Sequence, residues 1–244
     1  MELPEEGLYT YTQTLTASHL ESALSNLIEA RNLSRQGDDK FLLIKVRHKV
    51  VSCIIHGYCA LEAALNRAGH QMFNDTENRN YISLDLRSVE LDLLIKSWPR
   101  SLPPVDKLRF IISHFAKGPI PRLENELREL GNLRNWLVHG YIYQTTLLLS
   151  QEDQTNFDIL DREDSVDWAK VFPNTKFQAI DRLEYADGIT AIRVVFESLR
   201  LLAEATDEIF SFSDFQTGED RTVMIHEFTK VPELMSKHLD HQEA

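Results

Sequence analysis

Residues 121–140 read PRLENELRELGNLRNWLVHG, and their spacing decides the fold class. Leu123, Leu127, Leu130 and Leu137 recur at helical intervals and define one apolar face. Pro121 suits a first helical turn, where its missing N–H has no partner to lose. Gly140 suits the residue just past a last turn. With Leu123 at zero on a helical wheel, the other leucines fall within about 40° and Arg134 lies at about +20°, mid-stripe. A guanidinium is not buried alone, because an unpaired buried charge costs several kcal/mol. Arg134 must pair inside the fold, bind an anion or face a second subunit.

Working outward, the preceding residues read as more helices. Ser18-x-x-Glu21 has the form of a capping box ahead of Leu20, Ala23, Leu24, Leu27 and Ile28. A longer helix is predicted from about Lys40 to Ala68, with Gly69 just past its end. Residues 70–82 read as a loop, 88–96 as a short helix, and Pro103-Pro104 opens a helix closed by Gly118. Past Gly140 the pattern changes. Tyr141–Leu149 and Asn156–Leu160 are rich in strand formers around the polar SQEDQ, which predicts a hairpin. Residues 161–180 read as irregular. Asp181-x-x-Glu184 is placed to cap a last long helix reaching about Phe210. The fold class is therefore mainly α: a helical domain over 1–212, a hairpin insertion at about 141–180 before the last long helix, and an acidic extension over 213–244.

The second helix holds another charge in an apolar stripe. With Tyr58 at zero, Val51 falls at about +20°, Leu65 at about −20° and Glu62 at about +40°. A Glu62–Arg134 pair is the simplest way to satisfy both. The formal net charge of −12 argues against nucleic acid as a partner, since phosphate is bound through Lys and Arg. That charge is uneven, with 17 basic and 17 acidic residues over 1–141 and 9 against 21 over 142–244. Two basic concentrations stand in the first part: Arg31, Arg35, Lys40, Lys45, Arg47 and Lys49, then Lys107, Arg109, Lys117, Arg122, Arg128 and Arg134. A local RNA-binding surface stays open.

The set Arg134-Asn135-x-x-x-His139-x-Tyr141 resembles the signature of HEPN domains, helical bundles found in prokaryotic toxins, phage-defence systems and CRISPR-associated ribonucleases. That signature is an Arg, often followed by Asn, with a His four to six residues on; a subset adds Tyr two residues beyond the His. The motif covers eight residues and a looser likeness runs over about 16–210. The resemblance implies an HEPN-like antiparallel bundle and an endoribonuclease that uses no metal or other cofactor. Arg134, Asn135 and His139 would be its catalytic residues, with Glu62 in support. It implies RNA, tRNA or mRNA, as substrate, and a homodimer that brings two motifs into one cleft. In the toxin subset the tyrosine is an adenylylation site for a nucleotidyltransferase antitoxin, which would make Tyr141 that site; an aromatic packing on the bundle is the alternative. The hairpin and the acidic extension depart from the compact members and leave the subfamily open.

Other classes lack a starting point. No phosphate-binding glycine loop and no nucleophile elbow is present. Two cysteines, Cys53 and Cys59, are too few for a disulfide scaffold or a cysteine zinc site. His238-x-x-His241 reads as part of a tail rather than a metal site. No apolar run reaches the length of a membrane span and the first residues are acidic, so a cytoplasmic protein is expected. Three readings remain: a metal-independent ribonuclease, a catalytically silent HEPN module binding RNA, nucleotide or a protein, and a helical scaffold.

Overall fold

The computed structural model describes residues 15–37, 39–74, 88–115, 121–140, 144–151, 157–171 and 177–206. The described chain is mainly helical, with one two-stranded antiparallel sheet placed before the last long helix. The helices are α1 (Thr16–Ser34), α2 (Lys40–Asn74), α3 (Ser88–Ser97), α4 (Pro104–Phe115), α5 (Pro121–His139), the single turn α6 (Trp168–Val171) and α7 (Tyr185–Thr206). Strands β1 (Thr145–Gln151) and β2 (Phe157–Asp164) lie between α5 and α6. Tyr141, the first residues of the expected hairpin and the extension over 213–244 lie outside the described residues.

The bundle is built around α2 and α7, which touch each other and each touch α1, α4 and α5. Two apolar rows on α2 explain this central place. Val46, Val50, Cys53 and Gly57 form one, and Ile54, Tyr58, Leu61, Leu65, Ala68 and Met72 the other, all buried. With steps of three and four residues, the two rows give α2 a wide apolar face that meets several neighbours at once. In α5 the leucine stripe is buried at Leu123, Leu127 and Leu130, whereas Leu137 is only partly buried and Leu133, about 80° from Leu123, joins the core. Gly140 has φ +58°, and its N–H bonds to the Trp136 carbonyl, which closes α5 after His139.

Four expectations are corrected. Ser18 does not cap α1, because the helix starts at Thr16 after Leu15, with no side-chain cap. Thr16 is fully buried, so packing draws the turn before Ser18 into the helix. Gly69 does not end α2, which runs on to Asn74. A Cβ at Gly69 would lie 2.5 Å from Trp98 Cδ1 and Cε2, so the glycine makes room for the indole. The stretch expected to be irregular, 161–180, holds regular structure among its described residues, since β2 continues to Asp164 and both α6 and a 3₁₀ turn at Ile180–Arg182 follow. Asp181 does not cap the last helix. It pairs with Arg162 at 2.8 Å, and the buried Asp187 takes over the cap by accepting from the backbone N–H of Glu184 at 2.8 Å and Gln178 at 3.0 Å.

The hairpin pairs Thr145 with Asp164 and Leu148 with Asp161, then shifts register so that Leu149 faces Ile159. Leu160 is the extra residue of this bulge. A lone hairpin is only marginally stable, so its anchoring matters. Asp164 supplies much of that anchoring, accepting from Thr145 Oγ1 at 2.8 Å, Arg162 Nε at 2.9 Å and Trp168 Nε1 at 3.0 Å. Trp168 in turn meets Trp136 of α5 edge-on at 5.3 Å, which ties the hairpin to the helix that carries the motif.

Candidate functional site

The structure brings Glu62 and Arg134 together, with Glu62 Oε2 3.8 Å from Arg134 Nη2. At that separation they form an ion pair rather than a hydrogen bond. The guanidinium lies 5.4 Å from the centre of the buried Tyr58 ring, a cation–π distance. Gly131, one turn before Arg134, lets Tyr58 approach; a Cβ there would lie 3.0 Å from the phenol oxygen. Arg134 Nη1 donates to Asn135 Oδ1 at 3.1 Å, while Arg134 Nε is buried with no hydrogen-bond partner. The arginine is thus held in place without its full set of five donors being used.

Sequence reasoning missed the deepest member of this cluster. Lys107, counted among surface bases, is fully buried and donates from Nζ to Asn66 Oδ1 at 2.8 Å. The signal was weak, because on the α4 wheel Lys107 falls about 40° outside Ile111, while Leu108, Ile112 and Val105 lie on the other side of it. Burial holds its ammonium below the ordinary value near 10.5, and the nearby Glu62 carboxylate pulls the other way. Glu62 therefore sits between two cations, Lys107 and Arg134. Burial likewise pushes the Tyr58 phenol and the Cys59 thiol up, and Arg134 opposes both shifts.

The lysine carries a pH prediction. A base whose proton is held less tightly in the fold makes folding costly below its lowered value, and that cost disappears as pH rises through 10.5. Lys107→Met keeps the length of the stem without the charge. The stability of wild type relative to this variant is expected to improve between pH 7 and pH 10. Urea unfolding of both proteins at the two pH values checks it, and a constant difference would refute it.

Of the rest of the second basic concentration, Arg109 and Arg128 are occupied. Arg109 pairs with Glu124 and, at 3.1 Å, with Asp106; Arg128 lies 3.2 Å from Glu124. These acids lower the chance that this face attracts phosphate. Asn135 and His139 are exposed on α5. Helix α5 is intact to His139, so the five residues from Arg134 turn about 140° and rise about 7.5 Å. Within one chain the two side chains therefore start from different faces of the helix. Tyr141 lies outside the described residues.

Among the described residues no group of three or more His, Cys, Asp or Glu is placed to hold a metal ion. Among them, too, no helix is long and apolar enough to cross a membrane. Fold and site together define a mainly helical protein with a polar cluster of Tyr58, Glu62, Asn66, Lys107 and Arg134 set in its bundle. Comparison with protein-family models, with curated proteins and with solved structures returns no match for this chain.

Proposed function

We propose that the protein is an HEPN-type endoribonuclease that cuts RNA without a metal ion, in a toxin–antitoxin or phage-defence setting. The observation that carries this reading is the state of Arg134. Its guanidinium is held at the rim of the bundle by Glu62 and Tyr58, with exposed Asn135 and His139 on the same helix. A planar, fixed guanidinium suits the charge that builds on phosphoryl oxygens. His139 takes the proton of a ribose 2′-hydroxyl as its oxygen attacks phosphorus. The bond to the 5′ oxygen breaks, and that oxygen leaves with a proton from a second acid. The products are a 2′,3′-cyclic phosphate and a 5′-hydroxyl end.

One imidazole does not serve as both acid and base in a single step, and Arg134 and His139 start on different faces of α5. A two-fold dimer answers both points by setting one copy's Arg134 against the second copy's His139. Val138, 45% exposed beside His139, gives that contact an apolar component. A second reading, an HEPN-like module that binds RNA, nucleotide or a protein without cutting, is favoured by the acidic excess over 142–244, 21 acids against 9 bases, which repels phosphate. Incubating wild type and His139→Ala with total RNA and tRNA in EDTA separates the two. New 5′-hydroxyl ends from wild type alone support the ribonuclease; salt-dependent binding with no new ends supports the module.

A further inference from the structure

A second place in the fold collects positive charge away from the α5 motif. Where the end of α1, the first turns of α2 and the start of α7 meet, the surface forms an open cavity of about 580 Å³. That volume lies in the usual range for small-molecule sites. Leu43, Val46 and Leu183 give it apolar walls, and Arg47 and Arg182 bring guanidinium groups to it. Arg47 comes from the basic run near residues 31–49, which the α5 site does not use.

Three features point to an anion. Arg47 and Arg182 line the same small volume, and two like charges brought together favour an anion between them. Tyr185 and Ala186, the first residues of the 22-residue α7, also line the cavity. Asp187 takes the Glu184 N–H, while the backbone N–H groups of Tyr185 and Ala186 have no partner within the helix and lie at the positive end of its dipole. Finally, Arg31 and Arg35 act on Tyr185 electrostatically, opposing the upward push of burial on its phenol, so two more cations stand at this end of the bundle. Against them stand two acids, the exposed Glu184 in the lining and the buried Asp187 in the first turn of α7. Arg182 keeps only a long contact, 3.7 Å, to Asp164.

We propose that this cavity binds a small organic phosphate. The phosphate is seated on Arg47, Arg182 and the first turn of α7, and an apolar body lies against Leu43, Val46 and Leu183. Arg47 and Glu62 are 15 residues apart on α2, about 22 Å along the helix, so this site is separate from the Arg134 cluster.

Calorimetric titration of the full chain with phenyl phosphate, inorganic phosphate and phenol tests the proposal. Phenyl phosphate is expected to bind at least about ten-fold more tightly than either of the others, because only it uses both walls. Arg47→Gln and Arg182→Gln are each expected to weaken it by about ten-fold or more, with unliganded melting temperatures close to wild type. Arg134→Ala is expected to leave it unchanged, so failure here is distinct from failure of the ribonuclease reading. No heat with phenyl phosphate at 10 mM or so, or equal affinity in wild type and both arginine variants, would overturn the proposal. If Arg47→Gln does not fold, Arg182→Gln alone decides.

Discussion

His139→Ala is expected to lower RNA cleavage by about 10²–10⁴-fold, the usual contribution of a positioned acid or base, while leaving the fold in place. The contrast between the two effects is the useful part. His139 is exposed at the end of α5 and contributes nothing to the buried core, so its removal should change stability by no more than about 0.5 kcal/mol. Arg134→Ala should cost a further kind of loss, about 10²–10³-fold for a missing donor to developing charge. It also removes the ion pair to Glu62, but Lys107 still faces that carboxylate, so the stability cost should be small beside the loss of activity. Arg134→Lys should recover only part of the rate, because a point charge lacks the planar fork. Mixing the two inactive alanine variants tests the dimer. If one copy's arginine works with the other copy's histidine, half of the dimers are mixed and one of their two sites is intact, so roughly a quarter of wild-type activity returns. No recovery would place both groups of a working site on one chain. Full activity of His139→Ala, measured with the melting temperature of the same sample, would end the ribonuclease reading.

Much of the bundle was legible because several local signals agreed. In α5 the leucine period, Pro121 at the start and Gly140 at the end all point to the same helix, and the structure has it over Pro121–His139. The Glu62–Arg134 contact was legible for a related reason, since each charge falls inside an apolar stripe and needs a partner of opposite sign. Where sequence reading failed, one local signal had two physical meanings. A glycine in a helical run can end the helix or admit a neighbour's side chain, and at Gly69 the neighbour, Trp98, is distant in sequence. Asp181 and Asp187 both have cap-like spacing, and Arg162, arriving from the hairpin, claims the first. Lys107 was misplaced because its wheel position only flanks the apolar stripe of α4. It was grouped by charge with Arg109 and Arg128, and the partner that holds it inside the bundle, Asn66, comes from a different helix.

Gly69→Ala is expected to destabilise the protein, although helix propensity alone predicts the opposite. Gly69 lies inside α2, and replacing a mid-helix glycine by alanine ordinarily stabilises by about 1 kcal/mol. Here the added methyl would meet the Trp98 indole at 2.5 Å from two ring carbons, well inside contact distance. The indole has little freedom to yield. Trp98 is 2% exposed and stands edge-on to Phe73 at 5.3 Å and Phe110 at 5.7 Å. Its Nε1 also donates to the Leu65 carbonyl at 3.0 Å, so any shift strains a buried hydrogen bond as well as the packing. Overpacking of this kind costs about 3 kcal/mol, which outweighs the propensity gain and leaves a net loss of about 2 kcal/mol. For a chain of this size that corresponds to a fall in melting temperature of about 4–8 °C, readable by scanning calorimetry. A melting temperature at or above wild type would mean that the indole does not occupy the groove beside Gly69. The same variant bears on the site, because Leu65, whose carbonyl holds the indole, is flanked on α2 by Glu62 and Asn66. A disturbance of α2 at Gly69 that reached the Glu62–Arg134 pair should therefore appear as a loss of RNA cleavage at temperatures well below the melting transition.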